Sequence, residues 1–125
     1  MLRAQRRLLR PGGRLATLVI EIAPGLDART RRRARAAGPM SVATSSNYSS
    51  LLHTAGFVDI ESIDQTAEYR STAAAWLRER QRHEHAYRVA IGDALYEERA
   101  AEGAVTVGAI DDGLLRRSLY VARRS

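Results

Sequence analysis

The sequence predicts an α/β fold on three observations. The run Leu15–Ala23 is apolar, lacks period-two alternation and is bounded by Gly and Pro, which is typical of a strand buried on both faces of a parallel sheet. Residues 57–63 alternate apolar and polar, which indicates a strand with one exposed face, nearer a sheet edge. A third short apolar segment, Arg117–Arg123, lies between arginine pairs and predicts a closing strand.

Helical patterns occupy the stretches around the first strand. Met1–Leu9 is predicted to be the last turns of a helix, which ends at Pro11-Gly12-Gly13 because Pro cannot continue a helix and Gly adopts the left-handed cap conformation. Residues 27–45 are polar, basic and small. We expect them to cross the sheet with a short helix at most.

The later helices are predicted from capping signals and helical periodicity. Ser45 or Ser46 can cap a helix over 47–55, and Gly56 stops it. Two helices are expected over 69–114, with a break and a fresh cap at Gly92-Asp93.

The composition limits the class of protein. With 125 residues, 45% of them hydrophobic, the chain suits a single domain over 1–125. No run approaches the roughly 18 apolar residues of a membrane span, so no membrane partner is expected. Cysteine is absent, which excludes disulfides and thiolate metal sites and fits the cytoplasm. All twenty basic residues are Arg, which with the many alanines suggests a GC-rich bacterial genome.

The net charge of +6 is unevenly distributed. Residues 1–35 hold ten arginines against Glu21 and Asp27. A basic segment of this kind can bind nucleic acid. The alternative, a solvated arginine face over Arg29–Arg35, is favoured because no aromatic side chain is interleaved for base stacking.

Three motifs, in this order along the chain, resemble the later half of class I S-adenosylmethionine-dependent methyltransferases. Leu8-Leu9-Arg10-Pro11-Gly12-Gly13-Arg14-Leu15 resembles the turn before that family's fifth strand. Tyr48–Phe57 resembles its helix and Ala-Gly-Phe turn into the sixth strand. Leu115–Arg124 resembles its last strand, which returns antiparallel between the fifth and sixth.

The resemblance implies a partial Rossmann-like methyltransferase sheet of the last three strands, the final one antiparallel. The helical pair at 69–114 is then an insertion or lid, as in some bacterial small-molecule methyltransferases. S-adenosylmethionine is the implied cofactor. The family holds it with a Gly-rich loop after the first strand, whereas Pro11-Gly12-Gly13 precedes a strand. We therefore expect no cofactor-binding residue in this chain and doubt its activity in isolation.

Five residues are candidate contacts for a small-molecule acceptor. Glu21 lies near the carboxyl end of the first strand and can bind an acceptor amine or hydroxyl; the alternative is an ordinary ion pair with a nearby Arg. Tyr48, Tyr69, Trp76 and Tyr87 can form aromatic walls that exclude water. The alternative is core packing between helices, which is favoured for Trp76.

No residue is assigned a catalytic role. His83 and His85 on a helix point about 200° apart and cannot share one ion, so no metal site is expected. His53 or His83 is a candidate general base for removing a proton from the acceptor.

The sequence leaves two leading hypotheses for function. The first is the carboxyl-terminal portion of a class I methyltransferase acting on a small-molecule acceptor. The second is an interaction or regulatory module, because an unpaired edge of the strand Leu15–Ile22 invites pairing. Its partner is then a second copy of the chain or the missing N-terminal half.

Overall fold

A computed structural model describes residues 1–38 and 48–125 of the chain. Helices and strands alternate along it as an α/β protein requires. The elements are α1 Leu2–Leu8, β1 Arg14–Ile22, α2 Ala28–Ala37, α3 Tyr48–Thr54, β2 Phe57–Asp64, α4 Thr66–Arg82, α5 Glu84–Ile91, α6 Asp93–Asp111 and β3 Leu115–Arg124.

The three strands form one sheet in the order β1-β3-β2. The last strand, β3, is antiparallel to both neighbours, so β1 and β2 run in the same direction. Leu18 of β1 and Ile63 of β2 both pair with Leu119 of β3. The predicted last strand, antiparallel between the two earlier ones, is confirmed.

Helices cover both faces of the sheet. On one face, here called the α3 face, Leu52, Phe57, Tyr120 and Ala122 form a buried cluster with partly buried residues of α1. On the other, the α6 face, the cluster joins α2, α4 and α6 to the sheet. Its buried members are Ala34, Ala37, Tyr69, Ala109, Ile110, Leu114 and Leu115.

The first strand differs from its prediction of burial on both faces. Leu18, at its centre, is 55% exposed, and Ala16 is exposed as well. Within residues 1–38 and 48–125, no strand pairs with the outer edge of β1. The core of the α6 face contacts only its carboxyl half, at Ile20 and Ile22. The prediction was wrong because an apolar run does not show how much of the strand's faces the helices cover.

The helical segments differ from prediction in number. Where two helices were expected over 69–114, the chain forms three, because α4 ends at Arg82 and α5 begins at Glu84. No Gly or Pro marks this break. The predicted break at Gly92 is present, with φ of 86°. A short helix, α2, does form within 27–45, and the predicted caps Ser45 and Ser46 lie outside the described residues.

A close approach explains why α6 tolerates a glycine in its interior. A Cβ at Gly103 would lie 3.3 Å from Nη1 of Arg80 on α4. The missing side chain therefore lets the Arg80 guanidinium lie against α6.

In the described part of the chain, no helix is both long and apolar enough to cross a bilayer.

Candidate functional site

A buried carboxylate lies at the carboxyl end of β1, on the α3 face. Glu21 is 6% exposed, its Oε1 accepts a hydrogen bond from the Tyr120 hydroxyl, and its Oε2 accepts one from Arg116 Nε at 3.2 Å. Burial, together with the hydrogen bond to Glu21, raises the pKa of Tyr120 to about 12. Glu21 thus has the arginine partner that the ion-pair interpretation expected.

Tyr48 joins this cluster from α3. Its ring centroid lies 4.9 Å from that of Tyr120, and burial raises the pKa of its hydroxyl, partly offset by a hydrogen bond with Thr17. An open cavity of about 290 Å³ lies beside it along β1, lined by Met1, Tyr48 and the strand segment 17–20. Glu21 and Tyr48 are therefore neighbours, as a shared site requires.

The largest of the described cavities, about 660 Å³, lies on the α6 face between α2, α6 and the carboxyl half of β1. Its walls are mostly apolar. Two carboxylates one helical turn apart on α6, Glu98 and Glu102, line it, and so does Tyr69. Tyr69 is 8% exposed, and burial raises the pKa of its hydroxyl. Ligand cavities of a few hundred Å³ with few polar groups suit small organic molecules.

A second cavity of about 250 Å³ adjoins the first and shares Tyr69 and Thr106 with it. It lies between α4, α6 and β3. Trp76 lines it and is 63% exposed, so the core-packing interpretation of this residue was wrong.

The five candidate contacts therefore fall into separate groups. Glu21 and Tyr48 lie on the α3 face, whereas Tyr69 and Trp76 line cavities on the α6 face. Tyr87 is half-buried on α5 and lines neither of the two α6-face cavities.

The two candidate bases lie outside these cavities. His53 is exposed on α3, and His83 Nε2 lies 3.4 Å from Glu79 Oε2 at the α4–α5 junction. Among residues 1–38 and 48–125, no group of three or more His, Cys, Asp or Glu is placed to hold a metal ion.

The basic segment lies on α2. Its buried residues are Ala34 and Ala37, and its arginines lie largely at the surface. Arg33 pairs with Asp112 at 2.6 Å and Arg31 donates to the Leu26 carbonyl at 3.2 Å. This is the arrangement of a solvated amphipathic helix.

Sequence reasoning missed the polar partners that β3 supplies. Arg116 and Tyr120 face Glu21 from β3, and Arg117 points to the opposite face, toward Tyr69. Period-two alternation along the closing strand separates residues 116 and 120 from residue 117, and this signal was available. Their partners depend on the strand register, which the sequence does not fix.

In the turns that follow the parallel strands, side chains of this chain already accept backbone N–H groups. After β1 the chain turns through Pro24, which lacks an N–H, and Asp27 Oδ1 already accepts from Thr30 N at the start of α2. After β2, Asp64 Oδ1 accepts from Thr66 N before α4. The Asp27 carboxylate therefore caps the start of α2, whereas the cap residue of α4, Gln65, makes no side-chain hydrogen bond.

Comparison with known proteins gives fold neighbours only. No protein-family model matches the sequence, and no curated protein matches it significantly. Among solved structures, phosphoethanolamine N-methyltransferase 2 of Haemonchus contortus, bound to phosphomonomethylethanolamine and S-adenosylhomocysteine, superposes with a TM-score of 0.82 at 13% identity. A protein of Galdieria sulphuraria assigned as a sarcosine dimethylglycine methyltransferase gives 0.81 at 14% identity.

The [4+2]-cyclase SpnF also matches, with a TM-score of 0.63 at 18% identity. The matches cover 98–99% of this chain. The chain spans only 29%, 46% and 42% of the Haemonchus, Galdieria and SpnF chains. It has the fold of the carboxyl-terminal part of a class I S-adenosylmethionine-dependent methyltransferase.

Proposed function

We propose that this chain is the acceptor-side portion of a methyltransferase that acts on a small molecule. The observation that carries the proposal is the cavity of about 660 Å³ beside the carboxyl half of β1, in a chain whose whole length has the methyltransferase fold. Ligands in open α/β sheets bind beyond the carboxyl ends of the strands. The Haemonchus neighbour holds a small phosphorylated amine, which is an acceptor of suitable size.

The lining of the cavity suits an acceptor more than a methyl donor. Ile20, Ala37 and Val105 supply apolar walls, and Tyr69 supplies a hydroxyl among them. Methyl transfer needs the acceptor held in line with the sulfonium methyl and water excluded, which such walls provide. Of the five residues singled out in the sequence, Tyr69 and Trp76 are our proposed acceptor contacts.

The methyl donor is proposed to bind to polypeptide other than these 125 residues. Two observations support this: the start of α2, which follows β1, is already capped by Asp27, and the outer edge of β1 has no partner strand in the described residues. A strand paired with that edge would bring a donor site next to the carboxyl end of β1. The completed sheet would then hold both substrates.

Calorimetric titration with S-adenosylmethionine tests the missing donor site. The isolated chain should give no heat of binding at micromolar concentration. Saturable micromolar binding would overturn this part of the proposal.

A second test of the missing donor site is to read the genomic DNA immediately upstream of the codon for Met1 in all frames. A Gly-rich loop encoded there should yield a polypeptide that co-purifies with this chain, and the complex should bind S-adenosylmethionine. A complex that forms but transfers no methyl group to small amines, acids or alcohols would contradict the function while leaving the fold intact.

The unpaired β1 edge favours a second candidate, a non-catalytic module that joins two copies of the chain through this edge. Size-exclusion chromatography with light scattering distinguishes the possibilities. A stable dimer that remains when S-adenosylmethionine is added would favour the module. A soluble monomer at all concentrations would count against pairing between copies.

A further inference from the structure

We propose that the cavity of about 250 Å³ between α4, α6 and β3 binds an oxyanion, the phosphate or carboxylate group of a small molecule. Arg80 and Arg117 line it together with the hydroxyl of Thr72 and the indole of Trp76. Identifying that anion as the acidic end of the methyl acceptor rests on the proposed function. The existence of the anion site does not depend on that function.

The first argument is an arginine that lacks a counter-ion. Arg117 is half-buried, and no ion pair reaches its guanidinium in the described part of the chain. Its Nε is buried and has no hydrogen-bond partner there. The sequence between Gly38 and Tyr48 contains no Asp or Glu that could supply one. Because burying an unpaired charge is costly, a guanidinium in this position is suited to an anion from outside the chain.

Three arginines on the same strand and on the neighbouring helix do have carboxylate partners. Arg116, one residue earlier, pairs with Glu21, and Arg123 on the same strand pairs with Asp59 at 2.8 Å. Arg70, on the same helix as Arg80, pairs with Asp111 at 3.0 Å. Arg117 instead lies over the Tyr69 ring, with its Cζ 5.5 Å from the centroid. The ring fixes the position of the guanidinium without neutralising it.

The second argument is a second arginine that lines the same cavity. Arg80 Nη1 donates to the Arg99 carbonyl at 2.8 Å, and the guanidinium lies against Gly103, where a Cβ would approach to 3.3 Å. Arg80 therefore has a fixed place, and one of its five N–H donors is used in this contact. It too forms no ion pair within residues 1–38 and 48–125.

The cavity has the size and donors that an oxyanion needs. One water occupies about 30 Å³ in the liquid, so about 250 Å³ accommodates a tetrahedral phosphate or a carboxylate with some of its hydration. Guanidinium groups bind both anions through paired N–H donors, and a hydroxyl supplies a further donor. The larger cavity beyond Tyr69 and Thr106 leaves room for the rest of the molecule.

The single tryptophan gives a direct readout, since Trp76 lines the cavity. The full 125-residue chain is titrated with inorganic phosphate and, separately, with acetate, while potassium chloride keeps the ionic strength constant. A saturable change in Trp76 emission with either anion supports the site. Phosphate alone indicates a phosphate ester as ligand, and acetate alone indicates a carboxylate. No saturable change with either anion would overturn the proposal.

Two variants locate the binding. Arg117→Gln should weaken it about tenfold or more, because hydrogen bonds to a charged group are lost. Arg78→Gln removes the same charge from an exposed position on α4, outside the cavity lining, and should leave it unchanged. Equal losses in both variants would mean that the net positive charge attracts the anion, and an unchanged affinity in Arg117→Gln would place it elsewhere. Either result would overturn the site.

Thermal unfolding distinguishes a loss of anion binding from a loss of folding in Arg117→Gln. In anion-free buffer Arg117→Gln should melt no lower than the wild type, because an unpaired charge has been removed. Phosphate should raise the melting temperature of the wild type and not that of the variant. A lower melting temperature for Arg117→Gln, with no phosphate effect on the wild type, would show a purely structural arginine. None of these results depends on methyl transfer, so failure of the anion site and failure of the proposed function are distinguishable.

Discussion

The two outer strands of the sheet present very different edges. β2 has a register shift between Val58 and Glu61, a positive φ of 51° at Asp59, and exposed acidic side chains at Asp59, Glu61 and Asp64. β1 pairs with β3 without a register shift over all nine residues, and its one acidic side chain, Glu21, is buried. Bulges and outward charges are the features by which proteins block further strand pairing.

This difference bears on which edge of the sheet could pair with a further strand. β2 carries features that oppose further strand pairing, whereas β1 is mostly apolar and has neither a bulge nor an exposed acidic side chain. Leu18 and Ile63 make the comparison direct, because both pair with Leu119 and are 55% and 45% exposed. Their exposure is similar, yet only Leu18 lies in a strand without edge protection.

Large-to-small substitutions test how firmly each outer strand is anchored. Phe57→Ala, at the buried start of β2, should lower the free energy of unfolding by about 3–5 kcal/mol through the cavity it leaves. Leu18→Ala should cost less than about 1 kcal/mol, since the side chain is half in water already. Urea unfolding measures both. A cost for Leu18→Ala equal to that of Phe57→Ala would mean that the β1 edge is covered in solution.

The acidic residues of the two strands differ in burial, since Glu21 of β1 is buried and Glu61 of β2 is exposed. Glu21→Ala should cost about 2–3 kcal/mol, because Tyr120 and Arg116 lose a charged partner. Glu61→Ala, its exposed counterpart on β2, should change stability by no more than about 0.5 kcal/mol. A double-mutant cycle of Glu21→Gln with Tyr120→Phe should show coupling. Additive effects would contradict the shared hydrogen bond.

Lysine at matched edge positions tests strand pairing itself. Leu18→Lys should weaken association of the chain with its partner or a second copy by about tenfold, or about 1.4 kcal/mol, because a lysine on an edge strand opposes pairing. Ile63→Lys should leave association unchanged. Light scattering across a dilution series measures both. Equal weakening in the two variants would contradict the assignment of β1 as the pairing edge.

One effect appears only in alkali. The pKa of Tyr120 is raised from 10.0 to about 12, so the native state keeps its proton where the unfolded chain has lost it. Its contribution to stability is complete below pH 10 and is lost as the pH rises through about 12. Tyr120→Phe should therefore flatten the fall in stability over this range, as followed by unfolding at stepped pH. An unchanged slope would show that Tyr120 ionises as freely in the native state as in the unfolded one.

Local sequence patterns predicted the positions of the strands. They did not predict which side chains of those strands are buried. β3 runs from Leu115 to Arg124, the bounds that the resemblance implied, because a short apolar segment between arginine pairs is a local signal. The exposure of Leu18 was not predictable, since it depends on which part of the β1 face the helices of the α6 face cover. The α4–α5 break at His83 has no local signal at all.

The candidate site was predicted less well, because its contacts join distant residues. Glu21 and Arg116 are 95 positions apart, and only the register of β1 with β3 brings them together. Trp76 was expected in the core because it is large and apolar, yet the helices beside it leave its ring over an open cavity. Arg117 was named only as the first residue of the predicted closing strand, and its isolation from carboxylates is a tertiary property.

The central place of β3 has a consequence for how the chain is made. β1 and β2 do not pair with each other, so the three strands form no hydrogen-bonded ladder until β3, Leu115–Arg124, has been synthesised. Closing such long loops is slow and leaves apolar strands exposed meanwhile. Both outer strands therefore emerge from the ribosome before their shared partner, and loss of β3 would remove every strand pairing of the sheet.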